Sequence, residues 1–320
     1  MNGERGALVT PSVDRPPQPL ANLVLAGVAK AGTTSLFRYL AQHPDVCPSS
    51  VKEPRYFTAV RYGEPLAPVS EYARLFAHWS GERWRMEATP GYYPGGAAVA
   101  RAIDELLPHS RVVVLFRDPV QRCWSWYRFV RSTTRIPKEL SFAGYLDRCL
   151  ELHSDGVDHL RENQPFWGVG GGCYDQWIDD WQAIFGGRLR VEFFEDLVAR
   201  PQEETEELCR WLGIDPAPCA GFGYHVENRT VQYRRRGLQR MALSLNRGGE
   251  TFFARHPELK RRLRGAYYRV NADSGSERMD PGSLERLTAF YAPHNERLAA
   301  SLAAAGGDRL PAWLSSVGKV

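Results

Sequence analysis

The sequence predicts an α/β protein with a P-loop-like, three-layer fold, in which a central, mostly parallel sheet is flanked by helices. Three observations support this prediction. Short runs of apolar, β-branched residues alternate along the chain with segments of helical periodicity. These runs are apolar throughout, as expected for strands that are covered on both faces. A turn with the glycine spacing G-x-x-x-x-G joins the first strand to the first helix.

The elements follow one another in a strand–turn–helix rhythm. His43-Pro44 closes the first helix because proline cannot continue it, and Pro119 suits the first turn of a later helix. The cluster of glycines at 168–172 is the one stretch with the composition of a mobile segment, and we interpret it as a long loop rather than the hinge of a lid. The predicted elements are strand 22–27, helix 33–42, helix 97–107, strand 111–116, helix 120–130, helix 174–185, strand 189–194, helix 202–212 and helical scaffold at 258–264 and 284–302.

Length and composition limit the class of protein. Of 320 residues, 43% are hydrophobic and 24% charged, which is ordinary for a globular fold with a sizeable core. Basic residues exceed acidic ones by 41 − 37 = 4, which is too few for a dedicated nucleic-acid binder but allows a basic pocket. We therefore expect no nucleic-acid partner. The oligomeric state cannot be read from the sequence.

The N-terminus and the cysteines predict the cellular setting. Residues 1–20 contain four prolines and predict a disordered tail ahead of a single domain over 21–320. The tail lacks the apolar core of a signal peptide, and no apolar run reaches the length of a membrane span. The six cysteines form no C-x-x-C pair and no histidine has zinc-ligand spacing, so we expect reduced thiols and no metal. These features predict a cytoplasmic enzyme without a membrane partner.

The segment GVAKAGTTS, residues 27–35, is the first candidate site. A turn between a strand and a helix offers backbone N–H groups and a helix N-terminus to an anion. Thr33 stands where a Walker P-loop has its lysine, whereas Lys30 lies inside the loop and can reach a group in transfer. The same residues also fit a plain glycine turn in which Thr33 or Thr34 caps the helix.

The segment RDPVQRCWSWY, residues 117–127, is the second candidate site. It begins at the carboxyl end of strand 111–116, the edge at which open α/β sheets bind ligands. Arg117 can offer a bidentate fork to a phosphate, and Ser125 can add a hydroxyl donor. In the alternative interpretation, Arg117 pairs with Asp118 and Ser125 is an ordinary helix residue.

Together these motifs resemble the sulfotransferase superfamily, most closely the branch of the heparan sulfate sulfotransferases and their bacterial relatives. The resemblance depends on the Lys30 loop, His43-Pro44, KEPRYF at 52–57 and the segment 117–125. It is strong over residues 22–130 and continues more loosely to LPAWL at 310–314. It implies 3′-phosphoadenosine 5′-phosphosulfate (PAPS) as the donor, and a hydroxyl or amine of a small-molecule or carbohydrate acceptor.

The resemblance also implies a donor site, residue by residue. Arg117 and Ser125 match the pair that binds the 3′-phosphate of the donor. A late family loop that closes over the nucleotide best matches residues 228–234, which implies contacts from Arg229 and Arg234, although the usual Lys-Gly step is absent. The residues that match the 5′-phosphosulfate loop are Lys30, Ala31, Gly32, Thr33, Thr34 and Ser35.

For the chemistry, the resemblance implies Glu53 as the carboxylate that takes the acceptor's proton, with Lys52 beside it. Sulfuryl transfer needs in-line positioning and charge stabilisation, for which Lys30 and the loop N–H groups suit the leaving phosphate. Glu53 fits a general base if it is buried. His43 and His78 are alternative bases, and Glu53 can equally form a surface ion pair with its basic neighbours.

The acceptor side is less defined. Glu87 matches an acidic family position near the acceptor, although Ala88 stands where the family usually has lysine. The segments 55–63, 92–96 and 132–172 are rich in aromatic residues and arginine and are expected to line the acceptor pocket. They suit a sugar, a phenol or a natural product equally.

Two other functions compete with sulfuryl transfer. The first is a P-loop kinase-like phosphotransferase, which needs a Walker lysine before Ser/Thr and an acidic magnesium ligand after an apolar strand. Thr33 and Arg117 occupy those places, which counts against a kinase. The second is a non-catalytic binding protein that kept the fold. The presence of both Lys30 and Glu53 argues against this alternative.

Overall fold

At the centre of the fold lies a sheet of five parallel strands. The strands are β1 (Leu23–Gly27), β2 (Val46–Pro48), β3 (Trp84–Ala88), β4 (Arg111–Phe116) and β5 (Leu189–Phe193). Their order in space is β2-β3-β1-β4-β5. A separate antiparallel pair joins β6 (Gln232–Tyr233) to β7 (Ala272–Asp273). The computed structural model describes residues 19–225, 232–233, 272–273, 278–307 and 309–315.

Helices flank this sheet, which confirms the predicted α/β class. Every residue of β1 is buried, as are five of the six in β4, because both faces of the sheet are covered. The helices are α1 (Thr33–Leu40), α2 (Thr58–Arg61), α3 (Val69–Ala73), α4 (Gly96–Leu106), α5 (Pro119–Ser132), α6 (Phe142–Ser154), α7 (Asp175–Phe185), α8 (Phe194–Ala199), α9 (Pro201–Leu212), α10 (Pro281–Ala304) and α11 (Ala312–Ser315).

The sequence misses two of the five strands. β2 has only three residues, and β3 carries Arg85 and Glu87 in place of an apolar run. The other predicted elements on described residues agree with the structure to within a few residues at their ends. Residues 1–18 and the predicted helix at 258–264 lie outside the described residues, so the disordered tail and the single domain over 21–320 stay predictions.

Helix α5 begins with a side-chain cap just after the carboxyl end of β4. The Asp118 carboxylate accepts a hydrogen bond of 2.9 Å from Val120 N, and Pro119 occupies the first turn. This cap fixes the helix at the carboxyl end of β4, so that one face of α5 is directed at the edge where ligands bind.

A second hydrophobic cluster joins α5, α6 and α10 beside the sheet. The glycines at 168–172 pack against this cluster and are buried, with Gly170–Gly172 forming a 3₁₀ turn. A Cβ at Gly171 would lie 2.3 Å from Nη2 of Arg122, which is itself fully buried. The glycines therefore permit close packing within the segment that the sequence analysis interprets as a loop.

Candidate active site

A cavity of about 1340 Å³ lies at the carboxyl edge of the sheet. Its walls include residues that follow β1, β3, β4 and β5, together with the exposed face of α5. This is the position expected for a ligand in an open α/β sheet. The cavity contains most of the predicted donor residues, namely Lys30, Gly32, Thr33, Thr34, Ser35, Arg117 and Ser125.

The loop between β1 and α1 contains two residues with positive φ, one of which is not glycine and is therefore strained. Gly32 has φ +87°, and a Cβ there would lie 2.9 Å from Cδ2 of Phe194. Lys30 also lies in the left-handed region, with φ 74°, at a cost of about 1–2 kcal/mol for a non-glycine residue. Strain of this kind is concentrated at functional sites. The first N–H groups of α1, at Thr33 and Thr34, lack intrahelical acceptors and border the cavity.

The Lys30 ammonium lies in a strongly positive, poorly hydrated environment. Burial first, and then the guanidinium groups of Arg117, Arg128 and Arg122, together lower its pKa to about 8. The Glu53 carboxylate acts in the opposite direction. Nζ lies 4.7 Å from the centre of the Phe129 ring. An anion in the cavity would relieve the repulsion among these cations, since each of them would gain an opposite charge.

Arg117 joins the two phosphate-binding segments that the sequence predicts. Its Nη1 donates a 3.0 Å hydrogen bond to the Lys30 carbonyl, and its guanidinium lies 4.3 Å above the Phe194 ring. Its buried Nε has no partner among the residues that the structure describes. The alternative pairing with Asp118 is not favoured, because that carboxylate caps α5 at Val120. Arg117 itself borders the cavity.

Glu53 borders the cavity at the end of a short segment after β2. Its backbone N–H donates to the Ala88 carbonyl at 3.0 Å, and its φ of 62° lies in the left-handed region. The carboxylate is 37% exposed and accepts from Lys52 Nζ at 2.9 Å, with Arg55 Nη2 at 3.6 Å. The expected burial of this carboxylate is therefore absent in the structure. The predicted ion pairs are present, within the cavity wall.

The two histidines considered as alternative bases lie elsewhere. His43 is buried, with Nε2 2.8 Å from the Asp215 carbonyl and Nδ1 accepting from Asp45 N. His78 contacts the Pro48 carbonyl through Nε2 at 2.9 Å. Neither ring is among the described residues that line the cavity. Among the three candidate bases, only Glu53 has access to a ligand there.

Glu87 lies beneath the cavity floor and is fully buried. Burial raises its pKa to about 7, while hydrogen bonds from Tyr72, Thr89 and Tyr92 act in the opposite direction. Of these residues, only Thr89 is itself part of the lining. The structure thus separates Glu87 from the cavity by one side chain, and its assignment to the acceptor stays a prediction.

The far wall of the cavity consists of stacked arginine and aromatic side chains that the sequence located only as broad segments. The Arg61 guanidinium lies 4.3 Å from the Trp167 ring centre, and that of Arg161 lies 4.3 Å from the Tyr62 ring centre. The segment 92–96, expected in the wall, contributes no residue to the described lining, and Tyr92 is fully buried.

Sequence patterns missed some residues of the site, and two predicted residues are not among those that the structure describes. Phe194, Leu197 and Tyr224 line the cavity, although no sequence signal singled them out beyond the loosely matching segment 194–197. Arg229 and Arg234, assigned to the nucleotide, lie outside the described residues.

Comparisons with known proteins identify the family and the fold. A model described as "Sulfotransferase family" matches residues 56–218, about half of the chain. A bifunctional heparan sulfate N-deacetylase/N-sulfotransferase 1 from Caenorhabditis elegans is 24% identical over 264 residues, covering 81% of this chain and 29% of that protein. The chain thus spans under a third of that relative's length. The crystal structure of a sulfotransferase from Alicyclobacillus acidocaldarius superposes with a TM-score of 0.63 at 24% identity, covering 94% of this chain and 99% of that one, which shows a shared fold.

One prediction about cellular setting is wrong. A membrane-associated sulfotransferase, kil1 from Dictyostelium discoideum, is 27% identical over 164 residues, covering 48% of this chain and 34% of that protein. A relative of that kind overturns the inference of a cytoplasmic enzyme, which used the absence of apolar segments and the pattern of the cysteines. Among the described residues, no helix combines the length and the apolar character needed to cross a membrane.

Proposed function

The chain belongs to the sulfotransferase family, and on that basis we propose that it transfers the sulfuryl group of PAPS to a hydroxyl or amine of a carbohydrate acceptor. One observation carries the proposal. Lys30, Arg117 and Glu53 come from three separate parts of the chain and border one cavity at the carboxyl edge of the sheet. The kinase-like alternative loses its support, because the family model matches a sulfotransferase and not a phosphotransferase.

The donor end of the cavity fits a nucleotide with two separated anionic groups. The N-terminus of α1 and the loop around Gly32 offer backbone donors to the 5′-phosphosulfate. Arg117 and Ser125 border the cavity, and a guanidinium and a hydroxyl are donors that suit the 3′-phosphate.

Two residues would perform the transfer. As the S–O bond to the donor phosphate breaks, negative charge develops on that bridging oxygen, and the Lys30 ammonium stabilises it. As the acceptor oxygen or nitrogen attacks sulfur in line, its proton passes to the Glu53 carboxylate. Lys52 and Arg55 hold that carboxylate in place at 2.9 and 3.6 Å.

An anionic carbohydrate is the acceptor class that best suits the remaining lining. Apart from Lys30 and Arg117, which are assigned to the donor, five basic residues (Arg55, Arg61, Arg128, Arg135 and Arg161) and two acidic ones (Glu53 and Glu64) border the cavity. Two acidic residues cannot neutralise five basic ones, and the aromatic faces of Tyr62 and Trp167 suit sugar rings. The named heparan sulfate activity of the relatives supports the same class.

The test is transfer of ³⁵S from labelled PAPS to a panel of polysaccharides that differ in carboxylate, hydroxyl and free-amine content. Wild-type protein should label anionic polysaccharides, and Glu53→Gln should abolish labelling. Glu64→Gln is the matched control, since Glu64 also lines the cavity and pairs with Arg161 at 2.9 Å. Equal loss in both variants would refute the role of Glu53. Transfer from labelled ATP, with none from PAPS, would refute the proposal itself.

A further inference from the structure

A cluster of histidine and cysteine side chains lies outside the cavity. His153 is in the last turn of α6, Cys173 follows the Gly170–Gly172 turn, and His294 is in α10. One ligand atom from each lies within 4.8 Å of the other two. None of the three belongs to the described lining of the cavity. The proposed sulfuryl transfer therefore leaves this cluster unexplained.

The distances suit a small tetrahedral metal ion. His294 Nε2 lies 3.7 Å from Cys173 Sγ. With Zn–S about 2.3 Å and Zn–N about 2.0–2.1 Å, two ligands of a tetrahedral zinc are separated by about 3.6 Å for N and S. That edge of the site is thus already formed. The remaining edges, within 4.8 Å, close through rotation of His153, whose side chain is 23% exposed and has room to move.

Each histidine is oriented by a carboxylate on its other ring nitrogen. His153 Nδ1 lies 2.7 Å from Asp158 Oδ2, and His294 Nδ1 lies 2.7 Å from Asp175 Oδ1. A metal-binding histidine typically donates its second N–H to a carboxylate in this way, which leaves Nε2 as the ligand atom. The same arrangement occurs twice around one thiol.

Among the residues that the structure describes, Arg297 is the neighbour that opposes this tautomer. Its Nη2 lies 3.0 Å from His294 Nδ1, and as a donor it would require that nitrogen to accept. The carboxylate contact is shorter, at 2.7 Å, and Arg297 already donates through Nε to Asp175 at 2.7 Å. The Nδ1–H to Asp175 bond is therefore the stronger arrangement, and Nε2 is directed at the thiol.

Apolar side chains surround the same place. The Phe290 ring lies 5.4 Å from the His153 ring and 5.3 Å from the His294 ring, centre to centre. Cys173 is fully buried in the cluster that joins α5, α6 and α10. A hydrophobic shell around a metal site limits solvent access and lowers the local dielectric constant.

We propose that His153 Nε2, His294 Nε2 and Cys173 Sγ bind one Zn²⁺, with solvent as the fourth ligand. Imidazole and thiolate groups are common ligands of zinc in proteins. The ion would join the end of α6, the buried glycine turn and α10, and so stabilise the wall of the cavity that α5 provides. From the sequence we expected no metal, because we looked for ligands close together along the chain. These three ligands are 20 and 121 residues apart.

The test uses protein without a histidine tag, freed of metal by a chelator and titrated with Zn²⁺ and with Co²⁺. We expect one ion per chain, a sulfur-to-cobalt charge-transfer band and tetrahedral cobalt bands. Zinc near 100-fold above its Kd should raise Tm by about 5 °C. Cys173→Ser should remove the charge-transfer band, and His294→Gln or His153→Gln should weaken binding by at least about tenfold.

Matched controls separate ligation from general packing. Cys149→Ser changes another buried thiol of the same hydrophobic cluster, and His159→Gln changes an exposed histidine near His153 in sequence. Both should keep the cobalt spectrum and the zinc-dependent rise in Tm. Should Cys173→Ser fail to fold, His153→Gln decides the question, because its side chain is partly exposed. Less than one ion per chain, or spectra that the ligand variants leave unchanged, would overturn the proposal and leave a hydrogen-bonded cluster only.

Discussion

The charge of Lys30 predicts how catalysis should depend on pH. Burial, together with three neighbouring guanidinium groups, lowers the Lys30 pKa from 10.5 to about 8. Below that pH the side chain is an ammonium, and above it a neutral amine. If the ammonium stabilises the leaving phosphate, activity falls as pH rises through 8, whereas a lysine with its ordinary pKa would keep activity to pH 10.

The expected size of this effect follows from the same value. With a pKa of about 8, roughly nine-tenths of Lys30 is charged at pH 7, and about one-tenth at pH 9. The kcat/KM for the donor reports the free enzyme, so it should fall about tenfold per pH unit above 8. Bound donor adds negative charge beside Lys30 and raises its pKa. The corresponding fall in kcat is therefore displaced to higher pH.

The assay is ³⁵S transfer at subsaturating and saturating PAPS between pH 6.5 and 9.5, with far-UV circular dichroism to confirm folding at each pH. Lys30→Arg serves as the control, because guanidinium stays charged over this range. Its rate should be lower, owing to altered geometry, but independent of pH above 8. A wild-type kcat/KM that is flat to pH 9.5 would refute the reasoning, as would the same alkaline fall in Lys30→Arg.

Three further predictions concern single side chains. Glu53→Gln should keep donor affinity but lower kcat by about 10²–10⁴, as measured at saturating PAPS, and near wild-type turnover would exclude it as the base. Arg117→Ala should weaken calorimetric binding of adenosine 3′,5′-bisphosphate by roughly tenfold or more, since a charge-assisted bond is lost. Unchanged affinity would place the 3′-phosphate elsewhere. Gly32→Ala should lower the free energy of unfolding by about 1–2 kcal/mol in a denaturant titration, because φ is +87° and Phe194 lies 2.9 Å from the added carbon. An unchanged midpoint would show that the loop relaxes freely.

The sequence predicted the elements whose signal is local. β1 and β4 are apolar runs, and the α1 and α5 segments begin at glycine or proline signals, so their positions were close to those observed. β3 was missed because its Glu87 is polar. Its burial is compensated by three hydroxyl donors, 2, 5 and 15 residues away, whose convergence depends on the folded chain.

In the candidate site, too, some residues could be predicted from local sequence signals and others only from the folded structure. The Lys30 loop and Arg117 follow strands, so topology alone brings them to one edge. The zinc ligands proposed above and the stacking of Arg61 on Trp167 depend on residues far apart in sequence, and only the packed helices bring them together. The prediction of a cytoplasmic location was wrong for a different reason. An absence of apolar segments does not exclude association with a membrane.

The Phe194 ring links the two segments that we propose to hold the donor. One face of this ring lies 4.3 Å from the Arg117 guanidinium, and a Cβ added at Gly32 would lie 2.9 Å from its edge. One aromatic side chain therefore supports the arginine and the glycine loop together, so a change there disturbs both. Phe194→Leu should weaken calorimetric binding of adenosine 3′,5′-bisphosphate, although Phe194 itself carries no charge.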